Sequence, residues 1–234
     1  MFNKSISLVI PVFNEQEIIE ETITIFTEKL SLLFNDFEII VVNDGSFDRT
    51  AEILNRISAY NSKIRILNNN DNMGSGISLW KGFKEARKEF VVSNFADRTF
   101  DLNDLNRIMP LFDSEDLDFV AVIREDRGAN TPFRKLTSWA NFLLIRFLFR
   151  IEINDFQFVQ VYRNSIIDGL TLISTGTFVP PELMIRLVSR GHTYKQISCK
   201  FYKRPEGKSK CGNPREYIKT FKEMLAFRFQ FNLS

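Results

Sequence analysis

The chain has 234 residues, 44% of them apolar, which is enough for one sizeable core and suits one large domain better than two small ones. Cys199 and Cys211 are too few for a disulfide framework and have no neighbouring Cys/His cluster, so disulfide-stapled and zinc-ribbon classes drop out and a reducing compartment is expected. The net charge of +2 hides a division: residues 1–120 carry 12 basic and 20 acidic side chains, residues 121–234 carry 19 basic and 9 acidic, so the second half is suited to anions or presents a solvated basic face.

Met1-Phe2-Asn3-Lys4 leads into a strand-like run without a signal-peptide layout, and no apolar run has the length of a membrane-spanning helix. Ser5 to Phe13 reads as a strand, followed by a helix whose Ile19, Ile23, Phe26, Leu30 and Leu33 recur at steps of three and four. Phe37 to Val42 is a second strand. A helix from about Asp48 to Tyr60 starts with Asp and Thr suited to its first turn, Ile64 to Leu67 is a third strand, and Ser75 to Lys88 a further helix. Phe90 to Ser93, a helix near Asn103 to Phe112, and Phe119 to Ile123 complete the series. This alternation predicts a single α/β domain over 1–234 with a mostly parallel, Rossmann-like central sheet flanked by helices, 1–123 forming a nucleotide-binding half and 124–234 an acceptor-side half.

Polar clusters fall where that rhythm ends its strands. Pro11-Val12-Phe13-Asn14-Glu15 closes the first strand, Asn43-Asp44-Gly45-Ser46 the second, Asn72-Met73-Gly74-Ser75-Gly76 follows the third and Ala96-Asp97 the fourth. Any one alone reads as a helix cap or turn. Together they predict a cleft at the carboxyl edge able to hold base, ribose, diphosphate and a metal. Neither a Gly-x-Gly-x-x-Gly fingerprint nor a Lys-containing phosphate loop is present, which removes the usual warrant for a dehydrogenase or a nucleotide triphosphatase.

These residues resemble the family 2 inverting glycosyltransferases of the GT-A fold, especially the branch of dolichol-phosphate mannose synthase and bacterial polyprenyl-phosphate glycosyltransferases. The matching text is Ser7 to Glu15, Val42-Asn43-Asp44-Gly45-Ser46 with Asp48 and Thr50, Asn72-Met73-Gly74 with Gly82 and Ala86, Ala96-Asp97, and more loosely Arg134-Lys135 with Ser138, Ala140 and Asn141, then Arg204, Gly207 and Ser209. The resemblance implies that Pro11, Asn14, Glu15 and Gly74 line the nucleotide-sugar pocket and that Asp44 hydrogen-bonds the base or ribose. Asp97 would be the last carboxylate of an Asp-x-Asp element and would hold Mg²⁺ or Mn²⁺ on the diphosphate. The chain departs from the family pattern at Phe95, which stands where the first Asp is expected, and at Asn43, which replaces a frequent Asp. Arg98 is then a candidate to supply positive charge to the diphosphate.

Arg124, Arg127 and Arg134, with Arg204 and Ser209 of the late basic loop, are candidates for binding an acceptor phosphate. A phosphomonoester acceptor is already anionic, whereas a sugar hydroxyl needs a base, for which Asp155 and Glu182 are candidates; each also suits a turn or helix start. The apolar stretches Trp139 to Phe149 and Phe221 to Phe231 read as core, as a partner or dimer surface, or as interfacial helices on an anionic membrane. His192 reads as a helix end. The expected partners are a UDP- or GDP-linked nucleotide sugar and a polyprenyl phosphate or glycan acceptor, with no nucleic acid, an oligomer being open. The expected location is cytoplasmic or peripheral at the cytoplasmic membrane face. A catalytically degenerate nucleotide- or lipid-binding module is the alternative that Phe95 favours.

Overall fold

A computed structural model describes residues 1–125, 132–202 and 214–231; along the two helices nearest the gaps, side chains are described at Trp139 and from Phe142, and from Ile218. In chain order the strands are β1 (Phe2–Val12), β2 (Phe34–Asp44), β3 (Ile64–Asn69), β4 (Phe90–Ser93), β5 (Phe119–Arg124), β6 (Gln160–Arg163) and β7 (Tyr194–Cys199). The helices are α1 (Ile19–Leu33), α2 (Thr50–Tyr60), α3 (Ser75–Lys84), α4 (Leu105–Ile108), α5 (Leu111–Ser114), α6 (Pro132–Phe149), α7 (Val179–Ser189) and α8 (Pro214–Gln230). The strands form one sheet in the order β3-β2-β1-β4-β6-β5-β7, parallel throughout except for β6, which is antiparallel to both β4 and β5. This is the mostly parallel sheet that the alternating pattern predicts.

Alternation within the strands builds two cores. Ile6, Leu8, Ile10 and Val12 of β1 face a layer formed by α1, α2, α4 and α5, while Val9 faces α3, α6, α7 and α8. Both faces are covered, so the central strands are apolar nearly throughout. Each fully buried Leu, Ile or Phe contributes about 1.5–3 kcal/mol. The predicted face of α1 is buried at Ile19, Ile23, Phe26, Leu30 and Leu33. Gly82 lets α3 sit directly on the sheet, since a Cβ there would lie 2.3 Å from Val9 Cγ1.

Two helix boundaries differ from the periodic reading. α3 stops at Lys84 rather than Lys88, because the N–H groups of Arg87 and Lys88 donate to Glu38 Oε1 (2.7 Å) and Ser7 Oγ (3.2 Å), drawing the chain out of the helix and into β4. The expected helix near Asn103 to Phe112 is a 3₁₀ turn followed by α4 and α5, interrupted at Pro110, which has no N–H to continue the ladder.

The chain runs β1, β2, β3 outward to one side, then crosses back over β1 to β4 on the other. Strand order therefore reverses between β1 and β4. In open α/β sheets the crevice outside the carboxyl ends at such a switch point is where ligands bind.

Candidate active site

The ends of β1 and β2 are stitched together. Asn14, at φ 52°, donates its N–H to Ser46 Oγ (3.0 Å) and accepts the Phe47 N–H on its side-chain oxygen (3.0 Å). Glu15 N–H donates to Thr50 Oγ1 (2.9 Å), and Thr50 N–H donates to Asp48 Oδ1 (2.9 Å), so the Asp and Thr expected in the first turn of α2 also anchor the neighbouring loop. Asn43, where the family often has Asp, donates from Nδ2 to Asn68 Oδ1 (3.0 Å) and accepts from Ser46 N–H (3.2 Å).

Asp44 ends β2 almost completely buried. Its Oδ1 accepts from Asn69 Nδ2 (2.8 Å) and Met73 N–H (2.9 Å), and its Oδ2 from Gly74 N–H (2.8 Å). The carboxylate thus shapes the turn that opens α3, where Gly74 takes φ 92°, a conformation costly for other residues. Gly45 (φ 69°) allows this turn to pass close by: a Cβ would meet the Asp71 carbonyl carbon at 2.5 Å. Pro11 lies buried within β1, in register with Val42.

Beyond β4, the loop winds around buried Asn94, which donates from Nδ2 to Phe100 O (2.8 Å) and accepts the Phe95 N–H (2.9 Å). Arg98 N–H donates to Phe95 O (3.0 Å), closing a turn that carries half-buried Asp97 at the carboxyl edge, while Phe95 is itself half-buried. Between Asp97 and α1 opens a cleft of ≈ 240 Å³ that also touches Lys29, Arg98 and Tyr202. Because β1 alone separates β2 from β4, the strands that carry Asp44 and lead to Asp97 run about 10 Å apart.

The proposed diphosphate role of Arg98 meets a competing partner. Its guanidinium reaches Glu21 of α1 at 3.1 Å, so at φ 55° it is turned to the helix. Glu21 is largely exposed and such a pair contributes under about 1 kcal/mol.

Three further candidates have partners within the fold. Arg124 Nε and Nη2 donate to Asp155 Oδ2 and Oδ1 (2.7 and 3.0 Å), between Phe158 and Phe201, so its guanidinium is spent on a buried carboxylate instead of an acceptor phosphate. The same pair engages Asp155: Gln157 N–H and Arg124 N–H also donate to it, so each oxygen accepts from two donors. Glu182, fully buried, accepts from Ile173 N–H, Ser174 N–H and Arg186 Nε, again with two donors on each oxygen. Neither carboxylate has an oxygen left over for an acceptor hydroxyl. Arg127, Arg204 and Ser209, and the side chain of Arg134, lie outside the described residues.

His192 follows Gly191 (φ 81°), and its N–H donates to Leu187 O, the helix-end turn expected. Its ring lies 2.9 Å from Asp118 Oδ2, away from the carboxyl edge of the sheet. Nothing in the sequence announces the contact of Phe47, which is 84% exposed and packs edge-on against Phe13.

Among the described residues no group of three or more His, Cys, Asp or Glu side chains converges. Asp97, half-buried at the edge, would supply an oxygen ligand of the kind a hard cation such as Mg²⁺ prefers.

The carboxyl edge of the sheet thus carries the Asp44-organised glycine turn beside β2 and the Asp97 loop beyond β4. The chain belongs to glycosyl transferase family 2, whose model matches residues 7–171. It is 32% identical over 157 residues to glycosyltransferase AglD of Haloferax volcanii, a match covering 65% of this chain and 25% of that protein, so the chain spans only about a quarter of that relative's length. Among solved structures it resembles glucosyl-3-phosphoglycerate synthase of Mycobacterium tuberculosis with UDP (TM-score 0.70, 18% identity, 98% of this chain and 82% of that one). The same enzyme with Mn²⁺, UDP-glucose and phosphoglyceric acid gives TM-score 0.70 at 19% identity, covering 98% and 81%. At these identities the likeness establishes the GT-A fold.

Proposed function

We propose that the chain transfers a sugar from a nucleoside diphosphate sugar, with inversion, to an acceptor that is already anionic, a polyprenyl phosphate. What supports the donor half is that Asn14, Asp44 and Gly74 belong to the loops that end β1, β2 and β3, and Asp97 to the loop that ends β4, all on the carboxyl edge around the β1/β4 switch point. Solved relatives contain UDP or UDP-glucose with Mn²⁺ or Mg²⁺, which supports a diphosphate donor here. An acceptor phosphate oxygen forms its bond to the anomeric carbon as the bond from that carbon to the β-phosphate oxygen breaks, the electron pair leaving with the nucleoside diphosphate. Asp97 would hold a divalent cation, which when bound would neutralise charge on that leaving group. The residues of the β1, β2 and α3 turns orient the nucleotide so that the attack is in line.

The acceptor half rests on two observations. Asp155 and Glu182 are both committed to arginines and backbone amides, and a phosphomonoester needs no base. On α6 the exposed Trp139, Leu143 and Phe147 recur every fourth residue, and α8 exposes Ile218, Phe221 and Phe229 beside Lys219 and Lys222. Such faces suit peripheral attachment to an anionic bilayer, the source of a polyprenyl phosphate. Among the described residues no helix is long and apolar enough to cross a membrane.

A second reading follows from Phe95-Ala96-Asp97: with one carboxylate, the module binds nucleotide without turnover. Calorimetric titration with UDP, GDP and CMP, each with and without Mn²⁺, separates the two. Metal-strengthened binding of one nucleotide, followed by sugar transfer to polyprenyl phosphate in detergent, is expected; binding indifferent to metal and without transfer would establish the non-catalytic module.

A further inference from the structure

Four consecutive backbone amides, those of residues 173 to 176, are gripped by two carboxylates from different helices. Glu182 of α7 accepts from Ile173 N–H and Ser174 N–H. Glu223 of α8 accepts from Thr175 N–H (3.2 Å), Thr175 Oγ1 (2.9 Å) and Gly176 N–H (2.9 Å). Hydrogen bonds to an ionised acceptor are about twice as strong as neutral ones, so this segment is held firmly.

What the segment presses against gives the grip a consequence. The Gly176 carbonyl lies so close to Gly76, in the first turn of α3, that a Cβ on Gly76 would stand 2.0 Å from its oxygen and 2.9 Å from Thr175 O. On the other side of the same turn, Gly74 N–H and Met73 N–H are held by Asp44. The first turn of α3 is thus clamped between Asp44, within the sheet, and the 175–176 peptide, which Glu223 fixes in place. Gly176 O also accepts Val179 N–H (3.2 Å), tying the same peptide to the start of α7.

We propose that Glu223 is a positioning residue of the donor cleft: by fixing the Thr175–Gly176 peptide beneath Gly76, it sets the Met73–Gly76 turn that lines the nucleotide pocket. Because Glu223 lies on α8, whose outer face carries Phe221, Phe229 and Lys222, the brace links occupancy of the donor cleft to the seating of that helix. Such a link is reciprocal: whatever steadies α8 tightens the nucleotide site, and nucleotide steadies α8. The nucleotide part rests on the donor reading above; the brace itself does not.

The test compares wild type, Glu223→Gln and Thr220→Ala. Thr220 is on the same helix and bonds Thr177 through their hydroxyls, so its loss loosens α8 without releasing the Gly176 amide. Hydrogen exchange of the ligand-free proteins comes first. In Glu223→Gln, peptides covering 73–78 are expected to exchange about tenfold faster along with those covering 173–177, whereas Thr220→Ala leaves 73–78 within about twofold of wild type. Unchanged exchange at 73–78 in Glu223→Gln, or an equal increase in both variants, would overturn the brace. UDP titration then reads the functional consequence. A Kd raised about fivefold in Glu223→Gln, with Thr220→Ala near wild type, is expected, and equal affinities in all three proteins would overturn the link to the donor cleft. If wild type itself does not bind UDP, the UDP donor and the link proposed to it both fall, while exchange at 73–78 still decides the brace.

Discussion

Arg124 and Asp155 form a closed pair at the end of β5: Nε and Nη2 of the guanidinium donate to the two carboxylate oxygens at 2.7 and 3.0 Å. The carboxylate is 3% exposed and the arginine 25%. Removing one partner leaves the other charge buried and unpaired. Asp155→Ala is expected to destabilise by about 3 kcal/mol, and Asp155→Ala with Arg124→Met by less than the single change. Urea unfolding of the three proteins checks this. A stable Asp155→Ala that has lost only turnover would restore the residue as a base.

Asp44 works through geometry. Asp44→Asn can place an N–H against the Gly74 N–H that now donates to Oδ2, leaving one donor unsatisfied, with an expected cost of about 1–3 kcal/mol. Nucleotide Kd should rise about tenfold as the α3 turn loosens. Calorimetry paired with thermal melts reads both quantities.

Asp97 tests the metal. Asp97→Asn is expected to abolish the Mn²⁺-dependent gain in nucleotide affinity while leaving Tm within about 2 °C of wild type, since the residue is half-buried in a loop. Titrations with and without Mn²⁺ on both proteins decide it. A gain of unchanged size would move the cation elsewhere.

Glu38 gives a pH signature at the opposite end of the sheet. Burial opposes its ionisation, but hydrogen bonds from Arg65, Ser7 and the Arg87 N–H outweigh that and hold the carboxyl below its usual 4.5. A depressed folded pKa stabilises above the unfolded value and is lost as pH falls through the folded one. The stability difference between wild type and Glu38→Gln is therefore expected in full at about pH 7 and to shrink through the acid range below 4.5. Urea midpoints measured across that range check the sign.

Cys199 is fully buried, and burial together with nearby Asp104 pushes its thiol up to about 12. In a Cys211→Ser background, alkylation near pH 8 is expected only on unfolding, because the thiolate is the reactive form. Rapid labelling of the native protein, followed by mass spectrometry, would contradict the burial.

Local chemistry wrote much of this molecule into its sequence. The buried faces of β1 and α1 follow from apolar periodicity, and the strand-end clusters at Asn14, Asp44 and Gly74 mark the carboxyl edge because only polar and glycine residues suit those turns. Tertiary structure decided what spacing cannot encode. Arg124 meets Asp155 across 31 positions, Arg98 turns to Glu21 on α1, and Glu223 reaches back 47 positions to Gly176. The four-residue β6, antiparallel between β4 and β5, is too short a run to announce its own place or direction. A charged side chain carries the same letter whether it waits for a ligand or is already paired. Which of the two holds depends on the partner that the fold brings to within 3 Å.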